Sequence, residues 1–299
     1  MSTTVSPLLD PEAIQKAEHL GLQARTIVEG YMAGAHKSPF RGFAIEFAQH
    51  REYVPGDDTR HLDWKVLGRS DRYYIKQYEQ ETNFVAHLLL DGSESMKYGS
   101  ARVAKLDYAK VIAACLAYLI LLQRDAASVT IFDEAPREHF PRTDSLAKIN
   151  ALCTLLSRFA PSDKTSIASS MEALAQKTRR RGIVILISDL MDDEDKVLRG
   201  IQHLRFAGHE VIVFHILDPY EVTFPFQGTV EFVGLEAQGK LTTRPAEIRK
   251  SYLAEFGAFL DRVKSTCDRN GCPYIRITTD QPWHEVLTAY LGTRQHRYG

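Results

Sequence analysis

From Asn83 onward, short runs of apolar residues alternate with longer stretches in which apolar residues recur at helical spacing. The short runs are Phe84–Leu90 (FVAHLLL), Ala127–Phe132 (ASVTIF), Ile183–Ile187 (IVILI), Glu210–Leu217 (EVIVFHIL) and Tyr274–Ile277 (YIRI). They are rich in Val, Ile, Leu and Phe and scarcely alternate with polar residues, which is the pattern of strands covered on both faces. Between them the spacing predicts helices over Val103–Gln123, Leu146–Ser157, Ile167–Lys177, Asp193–Phe206 and Glu247–Arg269, with a short one near Trp283–Leu291. In the third of these, Ile167, Met171 and Leu174 fall on one helical face. Strands and helices in this alternation predict an α/β fold, an open, doubly wound and mostly parallel sheet.

Two stretches break the rhythm. Residues 1–82 open with an amphipathic helical pattern (Pro11–Met32) and then turn rich in glycine, aromatics and charge through FRGFAIEF, REYVPGDD and RYYIKQYEQE. Residues 219–246 read as short alternating strands broken by Gly228, Gly234 and Gly239. The expected organisation is an N-terminal helix plus β-rich flank over 1–82 and the α/β domain over 83–299. Residues 219–246 form an insertion in that domain, expected to pack with the flank as a small β-rich subdomain.

Composition narrows the class. At 44% hydrophobic and 25% charged residues the chain is an ordinary globular protein, not a disordered or fibrous one. Its 37 basic and 38 acidic side chains leave a formal net charge of -1, so no global field draws it to nucleic acid or to anionic lipid. The longest apolar run, Val111–Leu122, falls short of the roughly 20 residues that a membrane span requires. The N-terminus lacks a basic region followed by an apolar one, so a cytoplasmic, soluble protein is expected. The four cysteines, Cys115, Cys153, Cys267 and Cys272, form no CxxC pair and have no histidine at zinc-finger spacing, which makes buried thiols the expectation.

Chemistry concentrates just beyond the first predicted strand. There Asp91-Gly92-Ser93-Glu94-Ser95-Met96 places three oxygen-bearing side chains at i, i+2 and i+4, at the sheet edge where open α/β folds bind ligands. Asp and Ser oxygens are hard donors, suited to Mg²⁺ or Mn²⁺ rather than zinc. Gly92 is expected to let the backbone turn tightly beneath such an ion. Thr165, opening a helix, and Asp189, closing a strand, supply further oxygens at neighbouring strand ends. Either of these alone reads more simply as a helix cap or turn residue; the conjunction of all five marks a metal site.

These residues carry a resemblance. DGSES, Thr165 and Ser188-Asp189 resemble the three loops of the metal-ion-dependent adhesion site of von Willebrand factor A domains. REYVPGDDTRHLDWKVLGRSDRYYIKQYEQE (Arg51–Glu81) resembles the signature of the bacterial family called domain of unknown function 58. The resemblance implies a von Willebrand factor A-like fold and a Mg²⁺ (or Mn²⁺) held by Asp91, Ser93, Ser95, Thr165 and Asp189. It also implies partner binding through a Glu or Asp that completes the ion's coordination, and a MoxR-type AAA+ ATPase as partner. Neutral serine and threonine ligands leave an ion's charge poorly satisfied, which agrees with binding an acidic side chain.

The competing expectation is a metal-dependent phosphoester hydrolase using Asp91 and the ion. Such an enzyme needs an acid near the nucleophile, whereas Ser93 stands two residues after Asp91. No G-x-S-x-G elbow, P-loop or HExxH occurs, and a non-enzymatic protein is expected.

Other features have plainer readings. The basic and aromatic residues from Arg60 to Tyr78 are interleaved with Asp63, Asp71 and neighbouring acids, so paired charges and cross-strand aromatic packing are expected there rather than a nucleic-acid surface. Arg179-Arg180-Arg181 suits a helix C-terminus, and Asp192–Asp195 suits the start of the next helix. Asp133 and Asp218, at other strand ends, are read as turn residues.

Overall fold

A computed structural model of the chain describes residues 44–54, 63–70, 72–81, 85–100, 103–133, 136–161, 182–192, 194–234, 239–283 and 285–286. These fall into two compact units, one within residues 37–84 and the other from residue 85 onward. The helices expected at Pro11–Met32 and Ile167–Lys177, with Thr165 and Arg179–Arg181, lie outside the described residues.

In the smaller unit β1 (Ala44–Glu52), α1 (Trp64–Ser70) and β2 (Tyr74–Glu81) follow in order. β1 and β2 pair antiparallel, with a register shift between Phe47 and Gln49. Beyond the paired ends, the Tyr53 N–H donates to the Tyr73 carbonyl at 2.9 Å and the two rings stand 6.1 Å apart, an instance of the expected aromatic packing. The pattern did not predict α1. Its start is set by Asp63, buried, whose carboxylate accepts a 3.3 Å bond from the Val66 N–H and so caps a segment of weak periodicity.

The larger unit is built on β3 (Val85–Asp91), α2 (Lys105–Leu122), β4 (Ala126–Phe132), β5 (Pro136–Thr143), α3 (Ile149–Arg158), β6 (Ile183–Ser188), α4 (Glu194–Phe206) and β7 (Glu210–Leu217). After them come α5 (Pro219–Thr223), β8 (Val230–Val233), β9 (Lys240–Thr243), α6 (Pro245–Arg269) and β10 (Tyr274–Thr278). Six strands form one sheet in the order β10-β7-β6-β3-β4-β5. All neighbours are parallel except β4 and β5. The predicted α/β class, an open and mostly parallel sheet, is the one observed.

Both faces of the central strands are buried, as their unalternated sequences require. Leu89, Val184, Leu186, Val211 and Val213 share a core with Val197, Ile201 and Leu204 of α4 and Val263 and Cys267 of α6. The intervening Leu88, Leu90, Ile185, Ile187, Ile212 and Phe214 point the other way and are equally buried. α2 packs on β3 and β4 and is apolar all round; of its residues only Asp107 and Leu122 escape burial. All four cysteines are free and buried. Burial pushes the Cys115, Cys153 and Cys267 thiols up to about 12, which makes them inert.

Two departures from the sequence pattern have clear causes. β5 was not foreseen because PREHFPRT holds two prolines and few apolar residues; it is an exposed edge strand, where proline is tolerated and β4's free edge supplies the pairing. Residues 219–246 begin with α5 rather than a strand. Asp218 accepts from the Tyr220 N–H at 2.8 Å while Glu221 accepts from the Asp218 N–H at 2.8 Å, a reciprocal cap that forces a helical turn after Pro219. β8 and β9 then pair antiparallel in a sheet of their own. Among the described residues, no helix is long and apolar enough to cross a membrane.

Two histidines sit within the sheet as neutral groups. His215 Nε2 lies 2.8 Å from the Asp189 carbonyl, which can only accept, so Nε2 carries the proton and Nδ1 accepts from the Tyr274 hydroxyl at 2.7 Å. His87 Nδ1 meets the Ser128 hydroxyl at 2.8 Å, while its buried Nε2 has no hydrogen-bond partner. Burial, then the charges of His209, His139 and Arg142, push His87 down to about 4. The unfolded chain therefore binds protons that the folded one refuses as pH falls below 6.5. Stability is full above that pH and declines toward pH 4, by about 3 kcal/mol at most for one such histidine. Between pH 7 and pH 4 the melting temperature of wild type is expected to lose more, or gain less, than that of His87→Leu; equal slopes in the two proteins contradict the assignment.

Candidate metal centre

The sheet's connectivity selects one crevice. From β3 the chain turns through α2 to β4 on one side, and from β6 through α4 to β7 on the other. The neighbouring carboxyl ends of β3 and β6 are thus the point where connections diverge, the usual ligand position of an open α/β sheet. Asp91 ends β3 and Asp189 follows the last residue of β6.

Asp91 is fully buried and its two oxygens are occupied: Oδ1 accepts from the Ser93 N–H at 3.0 Å and Oδ2 from the Ser188 hydroxyl at 2.5 Å. The Ser93 and Ser95 hydroxyls lie 2.9 Å apart, Ser93 buried and Ser95 partly exposed. Parallel register aligns Leu90 with Ile187, so the residue level with Asp91 is Ser188, and Asp189 reaches the crevice from one position farther on. Its backbone is held by the following turn. The Leu190 N–H donates to Ser188 Oγ at 2.8 Å and the Met191 N–H to Asp189 Oδ1 at 3.0 Å, with Leu190 forced to φ 56.

The role expected of Gly92 is corrected. Its φ is not in the left-handed region. A Cβ there would stand 2.4 Å from the Phe159 ring and 3.0 Å from Ile131, and the Gly92 N–H donates to the Phe132 carbonyl at 2.7 Å. Glycine is needed because the loop is pressed against Phe159, not because the backbone turns sharply.

Three residues outside the five assigned from the sequence complete the centre. Lys105, the first residue of α2 and 1% exposed, donates to Asp189 Oδ2 at 2.8 Å and to Glu221 Oε1 at 2.6 Å. Ser188 ties β6 to Asp91. Asp218, buried, accepts the Ser100 N–H at 2.7 Å as well as the Ser100 hydroxyl, anchoring the loop after the Asp-x-Ser-x-Ser segment to the cap of α5. The only sequence signal for Lys105 was a charge at the start of a largely apolar helix. Asp133 pairs with Arg137 at 2.9 Å and, like Asp218, does structural work, in line with the turn readings.

Electrostatically the centre is short of positive charge. Burial, with the Asp189 carboxylate beside it, raises Asp91 well above the usual carboxylate range. Asp189 is held down: burial opposes this, but the Lys105 charge and hydrogen bond, with those of Met191 and Ser95, outweigh it. Burial raises Glu221, which Lys105 partly offsets. Lys105 shows the converse, since burial alone would lower it and the two carboxylates keep it charged. One ammonium thus serves two carboxyl groups, Asp189 and Glu221, while the buried Asp91 carboxyl is held by the Ser93 N–H and the Ser188 hydroxyl. Oxygen-only donors and closely spaced buried carboxyl groups fit a hard cation such as Mg²⁺ or Mn²⁺. Of the five residues singled out in the sequence, Asp91, Ser93, Ser95 and Asp189 stand at this crevice.

The comparisons decide the family. A family model for protein of unknown function DUF58 matches residues 49–258, most of the chain. The chain belongs to that DUF58 family. An uncharacterised protein of Mycobacterium tuberculosis and one of Mycobacterium bovis are each 26% identical to this DUF58 chain over 300 residues, covering 96% of it and 91% of the relative. Among solved structures, the conserved hypothetical protein BatB from Bacteroides thetaiotaomicron aligns with a TM-score of 0.45 at 17% identity, covering 71% of this chain and 99% of that one. The SpRpn10 VWA domain aligns with a TM-score of 0.41 at 11% identity, covering 70% and 95%.

Beside Ser95 and Lys105 this DUF58 domain opens a cavity of about 860 Å³ lined by Tyr220, Phe224, Phe232 and Tyr252 among others. Phe224, at φ 46, stacks on Tyr252 with ring centroids 4.4 Å apart. Gly92→Ala is expected to destabilise the fold by about 1–3 kcal/mol through overpacking against Phe159. Phe159→Leu is expected to recover part of that loss in the double variant. Chemical denaturation of the two single variants and the double variant checks it; additive losses would place the strain elsewhere.

Proposed function

We propose that this chain is a non-enzymatic protein-interaction module in which Asp91, Ser93, Ser95, Thr165 and Asp189 hold Mg²⁺ or Mn²⁺. What carries the reading is the close spacing of buried carboxyl groups at the switch point of the sheet, set beside two serine hydroxyls. Ser93, Ser95 and Thr165 would offer neutral oxygens, and Asp91 and Asp189 the charge. A cation held this way supplies an open coordination position to an acidic side chain of a partner, and the aromatic cavity next to Ser95 offers apolar surface to the residues flanking that acid. The family resemblance nominates a MoxR-type AAA+ ATPase as the partner, in a cytoplasmic assembly or maturation role. Hydrolysis of phosphoesters is disfavoured because a fully buried serine, Ser93, stands where such a mechanism would place its acid.

Thermal unfolding in EDTA, Mg²⁺ and Mn²⁺ tests the reading without knowledge of the partner. Saturating Mg²⁺ is expected to stabilise the wild-type protein, by about 2.7 kcal/mol when the ion is at a hundredfold its dissociation constant. Asp91→Asn, which keeps the side chain's size, is expected to remove that stabilisation. Equal responses in the two proteins would refute the site.

A further inference from the structure

Lys105 is among the most deeply buried of the described side chains, and its ammonium stands on a carboxylate assigned to the ion. We infer that Lys105 is a tethered counter-ion that competes with the divalent cation for Asp189, so that the domain carries its own brake on metal loading. The inference rests on the metal site proposed above and concerns how that site is regulated.

The geometry leaves Asp189 little freedom. Oδ1 is engaged by the Met191 N–H at 3.0 Å and Oδ2 by Lys105 Nζ at 2.8 Å, so neither oxygen is idle. A divalent cation drawing on Asp189 must displace the ammonium from Oδ2 or lie close to it. Both alternatives carry a repulsion that is large in a buried setting, since two charges of like sign a few ångströms apart are poorly screened there. Lys105 has somewhere to go. Glu221 Oε1 already accepts from Nζ at 2.6 Å, and the Tyr98 ring lies 5.9 Å from Nζ, so the ammonium can leave Asp189 without losing all its partners.

The same arrangement ties loading to the neighbouring surface. Glu221 belongs to α5, where its other oxygen accepts from the Asp218 N–H at 2.8 Å, and Asp218 holds Ser100 in the loop that follows Ser93 and Ser95. Tyr220 and Phe224, flanking Glu221 on that segment, line the aromatic cavity. Exchange of ammonium for ion at Asp189 therefore changes the load on Glu221, which joins the centre to the cavity wall. A partner acid arriving at the ion offsets the repulsion from Lys105, so the ion and the partner should bind better together than apart.

Isothermal titration of Mg²⁺ alone into wild type, Lys105→Met, Lys105→Arg and Asp91→Asn tests this. Lys105→Met is expected to bind Mg²⁺ at least about tenfold more tightly than wild type. Its metal-free form is expected to melt lower, because two carboxylates lose their counter-ion. Lys105→Arg is expected to stay near the wild-type affinity, so that affinity follows the charge at position 105 and not the melting temperature. If Lys105→Met does not fold, Lys105→Gln, which keeps a donor for the carboxylates, takes its place in the series. Wild-type binding that is lost in Asp91→Asn but not tightened by the neutral variants would overturn the role of Lys105 and leave the metal site standing. Binding by neither wild type nor any neutral variant would overturn both. Binding seen only in the neutral variants would support the brake in its strongest form.

Discussion

One constraint organises the larger unit: a buried ammonium shared between Asp189 and Glu221, at a place where Asp91 adds a further buried carboxyl. Isolated charges do not survive burial, and removing one partner of a buried pair leaves the other at a cost of several kcal/mol. Lys105 begins α2, Asp189 follows β6 and Glu221 lies in α5, so three segments far apart in the chain must be correctly placed before these charges are satisfied. The carboxyl end of the sheet is in that sense held by electrostatics as much as by packing. Asp218 extends the arrangement by fastening the loop after Ser95 to the same helix.

The sheet itself depends on a different and less specific force. Its central strands are apolar on both sides, and the helices that cover them leave little room for polar atoms. Polar groups inside are few, and one of them is tied at both ends. His215 bridges the Asp189 carbonyl and the Tyr274 hydroxyl, and this couples the backbone of the candidate centre to the edge strand β10. The rigid core and the charge-bearing rim are therefore joined at Asp189, whose side chain faces Lys105 while its carbonyl is held from behind by His215.

Much of this was legible in the order of the residues. Runs such as FVAHLLL, IVILI and EVIVFHIL have the pattern of doubly covered strands, and their spacing implied helical crossovers. The Asp-x-Ser-x-Ser segment could be placed at a carboxyl strand end, with Asp189 nearby, because strand ends follow from the runs themselves. The structure revised the details in physical terms. β5 and α1 owe their form to a neighbour's free edge and to a cap, which local periodicity does not report. Gly92 is required by the Phe159 ring, and that contact joins positions remote in sequence.

The amino-acid sequence alone determined the α/β class, the position of an oxygen-rich cluster at the end of β3 and the burial of the cysteine thiols, since each follows from local pattern and composition. Only the tertiary structure decided which charges meet. That Ser188, not Asp189, stands level with Asp91 is a matter of strand register, and that Lys105 neutralises Asp189 and Glu221 is a matter of helix placement. Electrostatic energy depends on distances through space, and a lysine 84 residues from its carboxylate leaves no trace of that distance along the chain.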